Sequence, residues 1–157
     1  MSLAAPTPLS PSPESYVFGI VASRFNTSLV DGLLERTGRT LRLLNPVAHE
    51  FETIRVPGSH EIPWAVKRLA AQGRFDCVIG LGVLIAGETN HHEMVGNSVS
   101  AAFQLIAIET GVPVINGVIV ANTAAQARAR CIGKINRGAE FAHAALEMAS
   151  LGKQLRK

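Results

Sequence analysis

The sequence predicts an α/β protein in which a parallel β-sheet is covered by helices on both faces. Two observations support this class. Strand-like and helix-like segments alternate along the 157 residues, and the strand-like segment at residues 75–85 is almost entirely apolar. A nearly continuous apolar strand is typical of a parallel sheet that is buried on both faces. Four β-α units in succession predict right-handed crossovers, and the length suits one domain.

The domain is predicted to span residues 16–157, preceded by a loose arm at residues 1–15. The arm carries four prolines between residues 6 and 13. Proline has no backbone N–H and biases the preceding residue towards extended backbone. Regular pairing of this arm with a sheet is therefore not expected.

The elements of the domain are predicted from the spacing of their apolar residues and from the glycines and prolines that mark their ends. Strands are predicted at residues 16–23, 49–56, 75–85 and 113–120. Helices are predicted at residues 28–44, 61–72, 90–110, 123–130 and 139–151. Leu29 and Leu33 begin the helical spacing of the first helix. Pro63 fits the first turn of the second helix, and Gly111 ends the third.

Ligands in open α/β sheets bind outside the carboxyl ends of the strands. Four connections are expected to leave these ends, at residues 24–26, 57–61, 87–91 and 116–121. Each carries polar or aromatic residues that a simple turn would not require. We therefore expect the four connections to converge on one crevice.

The run GVLIAGETNHHEMV at residues 82–95 joins an apolar strand, a glycine turn and a helix start. Thr89 or Asn90 is expected to cap this helix, whose free N–H groups attract a phosphate. His91 falls in the first turn, where a neutral imidazole beside a bound phosphate would act as a general base. The alternative interpretation is a capped helix with surface histidines.

Three further candidates each have an ordinary structural explanation. Phe25 either packs in the core or stacks on a flat heterocycle. Glu61 either accepts hydrogen bonds from sugar hydroxyls or is a first-turn glutamate stabilised by the helix dipole. Arg130 and Lys134, taken alone, read as solvated surface charges.

Composition excludes several functional classes. Hydrophobic residues make up 47% of the chain and charged residues 17%. Because so few charged residues are available to cover the surface, we expect substantial surface to be buried between subunits. The net charge of +3 is too small and dispersed for nucleic acid. No secretory signal or membrane-length apolar stretch is visible, so a cytoplasmic location is expected.

The general catalytic motifs are missing as well. The sequence has no GxGxxG, P-loop, HExxH or GxSxG pattern. Cys77 in a strand and Cys131 in a connection have no metal-ligand spacing, and we expect two buried free thiols in a reducing compartment.

Five segments in register resemble the 6,7-dimethyl-8-ribityllumazine synthase family. They are RFN at residues 24–26, RVPGSHEIP at 55–63, GETNH at 87–91, ETGVPV at 109–114, and GAE at 138–140 with ALEM at 145–148. The likeness runs from about residue 16 to residue 151. It implies a flavodoxin-like three-layer sandwich with a four-stranded parallel sheet.

The resemblance also implies an activity in riboflavin biosynthesis. The family condenses 5-amino-6-(D-ribitylamino)uracil with 3,4-dihydroxy-2-butanone 4-phosphate, releasing phosphate and water, without metal or organic cofactor. Its active sites lie between neighbouring subunits of a pentamer. The implied partners are these two small molecules and further copies of the chain, with no nucleic acid or membrane.

The site residues follow from the resemblance by position. His91 would transfer protons. The residues assigned to the pyrimidine ring and ribityl chain are Phe25, Ser59, His60, Glu61, Leu84, Ile85 and Asn116. Those assigned to the phosphate are Glu88, Thr89, Arg130 from the adjacent subunit, and Lys134.

This sequence departs from the common family pattern at several positions. His60 stands where an aromatic or apolar residue is usual, Asn116 where phenylalanine is frequent, and Ala86 where a basic residue is frequent. The connection at residues 130–138 is one residue shorter. His60 and Asn116 leave open a catalytically weak paralogue that binds flavin or lumazine. A riboflavin synthase of similar fold is a separate alternative. The proline-rich arm favours an isolated pentamer or decamer over a sixty-subunit capsid.

Overall fold

The computed structural model describes residues 6–7, 14–45 and 51–156. The strands are β1 Phe18–Ser23, β2 Glu52–Val56, β3 Cys77–Ile85 and β4 Val114–Ala121. The helices are α1 Thr27–Leu44, α2 Ile62–Ala70, α3 His91–Thr110, α4 Ala124–Cys131 and α5 Arg137–Leu155, with a 3₁₀ helix at Ser59–Glu61. Most of the predicted arm, and residues 49–50 of the second predicted strand, lie outside the described residues.

The four strands form one parallel sheet in the order β2-β1-β3-β4. β1 pairs with β2 on one side and with β3 on the other, so the chain changes direction across the sheet after β2. β4 extends the sheet beyond β3. This confirms the predicted parallel sheet and its flavodoxin-like order.

Helices cover both faces of the sheet, and each face has its own apolar core. On one face, Ile20 of β1 and Ile79 of β3 pack with buried residues of α1, α4 and α5. On the other face, Val21 and Val78 pack with α2 and α3. Alternate residues of one strand thus enter opposite cores, because successive strand side chains point to opposite faces. The three-layer sandwich is confirmed.

Two predicted boundaries are wrong. The connection expected at residues 116–121 overlapped the strand predicted at residues 113–120, and the strand is confirmed as β4, in which Asn116 pairs with Gly80. Apolar neighbours on both sides of Asn116 keep the strand paired across it. Cys131 is the last residue of α4 rather than part of a connection, because its buried side chain belongs to the core beneath that helix.

The helix predicted at residues 61–72 is α2, which spans Ile62–Ala70 and is preceded by a short 3₁₀ helix. Ser59–Glu61 forms a 3₁₀ turn, and α2 begins at Ile62 with Pro63 in its first turn, as predicted. α3 ends where expected, because Gly111 adopts a left-handed conformation with φ 67°. Across the described residues, none of the helices combines the length and apolarity needed to span a bilayer.

Candidate functional site

A cavity of about 480 Å³ opens at the carboxyl ends of β1, β2 and β3. Three of the four predicted connections line it. Its walls are Phe25 and Asn26, Gly58 to Glu61, Val83 to Ile85, Gly87, Thr89, and the α3 residues His91, His92 and Val95. β1 and β3 are the neighbouring strands at which the chain reverses its order across the sheet. The cavity therefore occupies the topological switch point, where α/β sheets bind ligands.

Asn26 fixes the connection after β1. Its backbone is left-handed, with φ 55° and ψ 44°, and its side-chain Nδ2 donates a 2.9 Å hydrogen bond to the Val83 carbonyl. The Phe25 N–H donates to the Pro57 carbonyl at 3.1 Å. These bonds tie the β1 connection to β3 and to the β2 connection.

Phe25 is presented at the surface of the chain and is not packed in the core. It is 71% exposed, and its ring lies beside Gly58. A Cβ at Gly58 would lie 3.0 Å from Glu61 Oε2 and 3.4 Å from Phe25 Cδ2. Glycine at this position therefore allows the ring and the carboxylate to lie close to the same turn.

Ser59, His60 and Glu61 all line the cavity. Ser59 is buried, and its Oγ lacks a hydrogen-bond partner. Glu61 accepts a 2.8 Å hydrogen bond from the Gly58 N–H through Oε2. This bond is the one that a first-turn glutamate would make, and it leaves the second carboxylate oxygen available for a ligand. His60 is exposed.

The start of α3 keeps its N–H groups free. Asn90 occupies the cap position, but its side chain makes no capping hydrogen bond, so that part of the prediction is wrong. The Asn90 carbonyl does accept from Met94 N at 3.1 Å. His91 is exposed in this first turn, on the cavity wall. Free donors beside the imidazole make this end of the cavity suited to an anion.

Four predicted site residues do not line this cavity within a single chain. Glu88 is exposed between two lining residues, and Asn116 is exposed on β4. Arg130 is half-buried near the end of α4 and donates to the Gln126 carbonyl at 3.1 Å. Lys134 borders a separate groove of about 630 Å³ formed by α4 and the segment after it.

The segment that follows α4 is held against α1. Arg36 donates to the carbonyl of Ile132 at 2.5 Å and to that of Gly133 at 2.9 Å. Gly32 lets α1 approach, since a Cβ there would lie 2.1 Å from Ile132 Cγ2. The backbone that carries Lys134 is therefore fixed by contacts far from it in sequence.

Both cysteines are buried and free, as predicted. Burial raises the pKa of the Cys131 thiol to about 11, although nearby Arg36 and Arg130 oppose the shift. Burial, reinforced by Asp76, also raises the pKa of Cys77 above its ordinary range. Both thiols are thus protonated at neutral pH and unsuited to nucleophilic catalysis.

The structure adds His92 and Asn26 to the cavity, neither of which was singled out from the sequence. His92 could have been found, because it precedes Val95 and Val99 at helical spacing and so lies on the apolar side of α3. Asn26 belongs to the connection at residues 24–26 that was expected to reach the crevice, but its left-handed backbone and its bond to Val83 are not visible in residue order.

The fold and cavity define a three-layer α/β protein with a ligand crevice at its switch point, bordered by an exposed aromatic ring, a carboxylate and a helix start. The family model described as 6,7-dimethyl-8-ribityllumazine synthase matches residues 15–153. The chain belongs to this family.

Curated relatives agree with the family match over most of their length. The 6,7-dimethyl-8-ribityllumazine synthase of Halorhodospira halophila is 44% identical over 139 residues, covering 88% of this chain and 89% of the relative. That of Thermococcus kodakarensis is 40% identical over 144 residues, covering 92% and 91%. That of Pyrococcus furiosus is 41% identical over 142 residues, covering 90% and 88%.

Proposed function

We propose that this protein is a transferase of riboflavin biosynthesis, a 6,7-dimethyl-8-ribityllumazine synthase. It would condense 5-amino-6-(D-ribitylamino)uracil with 3,4-dihydroxy-2-butanone 4-phosphate. The observation that carries the proposal is the meeting of Phe25, Glu61 and His91 around one cavity, in a chain that matches the family over residues 15–153.

The pyrimidine substrate fits the side of the cavity between the first two connections. The exposed Phe25 ring offers a face for stacking. The backbone of Leu84 and Ile85 would contact the ring from the end of β3. Ser59, His60 and the free carboxylate oxygen of Glu61 would hold the ribityl hydroxyls.

The phosphate fits the end of the cavity at α3. The uncapped helix start offers free N–H groups next to Gly87 and Thr89, and Glu88 would contribute its own backbone N–H. Arg130 and Lys134 would reach this phosphate from a neighbouring subunit. A planar guanidinium suits a phosphate leaving group, because it donates two parallel hydrogen bonds.

His91 would move protons during imine formation, phosphate elimination and ring closure. Histidine suits these steps because its ordinary pKa lies near neutrality. Holding two reactive substrates in register would supply much of the remaining acceleration.

The proposed assembly is a pentamer or decamer located in the cytoplasm. Large apolar side chains on α2 and α3 are exposed in the single chain, among them Trp64 at 72%, Leu105 at 60% and Ile108 at 79%. Exposed apolar side chains of this size are typical of subunit interfaces. Asn116, which does not line the cavity of its own chain, would contact substrate only across such an interface. Light scattering that shows a particle near a million daltons would contradict this assembly.

The activity is tested with purified protein and both substrates. The expected result is fluorescent lumazine formed faster than in the spontaneous reaction. His91→Ala is expected to lower kcat by roughly 10²- to 10⁴-fold, the range for a lost general acid–base group. Wild-type protein that gives no rate above background would refute the proposed function.

A further inference from the structure

His92 occupies an apolar position on α3. The buried residues of this helix are His92, Val95, Val99, Phe103 and Ile106. Their spacing of three and four residues forms the face that packs against the sheet. His92 is the first member of that face and its single polar one, and it is 9% exposed.

His92 is one of the residues that line the cavity. Its Nδ1 is inaccessible to solvent and lacks a hydrogen-bond partner. Nε2 is not among the buried side-chain atoms without a partner, so we infer that this nitrogen is the one a ligand in the cavity can reach. A hydrogen on Nδ1 would be a buried donor without an acceptor, which costs more than an unfilled lone pair. In a neutral ring, the tautomer with its hydrogen on Nε2 is the one that leaves no buried donor without a partner.

The neighbouring wall of the cavity has a second unsatisfied polar group. Ser59 Oγ is also buried without a partner, in the 3₁₀ helix that packs against α3. It lies close against β3, since a Cβ at Gly82 would lie 2.5 Å from that oxygen. Ser59 and His92 both line the cavity, so its inner wall carries polar side chains suited to a ligand with oxygen atoms.

We propose that His92 is a third substrate-contacting histidine, beside His60 and His91, whose Nε2–H donates a hydrogen bond to an oxygen of the ribityl-bearing pyrimidine. This inference rests on the proposed function. The pyrimidine is favoured over the phosphate because His92 lies on the core-facing side of α3, with Ser59, whereas the phosphate would bind the N–H groups at the helix start. A cavity with such a donor discriminates against compounds that lack the matching acceptor.

Three substitutions at His92 test the contributions of Nε2, of Nδ1 and of the ring volume separately. His92→Gln keeps a donor near the Nε2 position, His92→Asn keeps one near the Nδ1 position, and His92→Phe keeps the volume without either. His143→Gln is the matched control, because His143 lies on α5, which packs on the other face of the sheet.

The measurements are KM for each substrate, kcat, melting temperature, and calorimetric binding of the pyrimidine alone. His92→Phe and His92→Asn are expected to raise KM and Kd for the pyrimidine by about five- to ten-fold, the range for one lost hydrogen bond. KM for 3,4-dihydroxy-2-butanone 4-phosphate is expected to stay unchanged. His92→Gln and the control are expected to stay within about two-fold of wild type.

Two results would overturn the proposal. One is a His92→Phe protein whose pyrimidine KM and Kd equal those of wild type. The other is a rise of both KM values together with a lower melting temperature, which would show a structural role only. If wild-type protein makes no lumazine, the proposed function fails. Calorimetry then decides separately, since pyrimidine binding weakened by His92→Phe supports the inference and unchanged or undetectable binding refutes it.

Discussion

Asn26 has a left-handed backbone and a side-chain hydrogen bond at the cavity wall, and its replacement tests both features. Its φ of 55° places it in the left-handed region, and its Nδ2 bonds the Val83 carbonyl at 2.9 Å. Alanine would lose about 1 kcal/mol for the hydrogen bond and about 1–2 kcal/mol for the left-handed backbone. Asn26→Ala is therefore expected to destabilise the protein by roughly 2–3 kcal/mol, which lowers the melting temperature by about 4–12 °C at this chain length.

Asn26→Gly separates the two contributions. Glycine loses the same hydrogen bond but adopts positive φ without the steric cost of about 1–2 kcal/mol, and its larger loss of backbone entropy, about 0.5–1 kcal/mol, offsets part of that gain. We expect the free energy of unfolding of Asn26→Gly to be about 1 kcal/mol larger than that of Asn26→Ala. Urea unfolding at one fixed protein concentration measures the difference, because subunit association would otherwise shift the midpoint.

The outcomes for Asn26 are distinguishable. A glycine variant as unstable as the alanine variant would contradict the conformational argument. If both variants match wild type within about 0.5 kcal/mol, the bond to Val83 contributes nothing measurable. The alanine variant should also raise the KM for the pyrimidine, because Asn26 holds the backbone next to Phe25.

Two further predictions follow from exposure and burial. Phe25→Ala is expected to raise KM for the pyrimidine by about three- to ten-fold through lost stacking, with little change in melting temperature because the ring is 71% exposed. Phe25→Leu serves as the control for apolar area, and a fall in stability without a change in KM would contradict the stacking role. Burial raises the pKa of Cys131 from 9.0 to about 11, so the unfolded chain ionises this thiol first. Burial of the neutral thiol contributes fully to the free energy of unfolding below pH 9, and this contribution is lost as pH rises towards 11. Urea titrations of Cys131→Ala should therefore show a smaller decline in stability over this pH range. An unchanged decline would contradict the raised pKa of Cys131.

Much of the fold was predictable because its signals are local. The apolar run at residues 75–85 indicated a strand covered on both faces, and β3 spans Cys77–Ile85. Gly111 marked the end of α3, where the left-handed turn requires it. Asn116 led to a connection predicted at residues 116–121 inside the correctly predicted last strand, because one polar residue within β4 resembles the start of a connection.

The extent of α5 shows why local signals are incomplete. The apolar pattern predicted an end at residue 151, whereas α5 continues to Leu155. Lys153 donates to the Ser15 carbonyl at 2.6 Å and lies over the Tyr16 ring, 4.6 Å from its centroid. These contacts stabilise the last turn of α5, and Ser15 lies 138 residues away from Lys153 in sequence. The periodicity of apolar residues does not indicate contacts of this kind.

The sequence by itself determined the alternation of strands and helices, the polar connections after β1, β2 and β3, and the family to which the chain belongs. Each depends on residue type and order, which local backbone preference and side-chain period make readable. Only the tertiary structure decided that Phe25 is exposed, that the start of α3 lacks a side-chain cap, and that His92 lies in the cavity wall. Those features depend on the strand order and on how α3 rotates against the sheet, and packing between distant segments sets both.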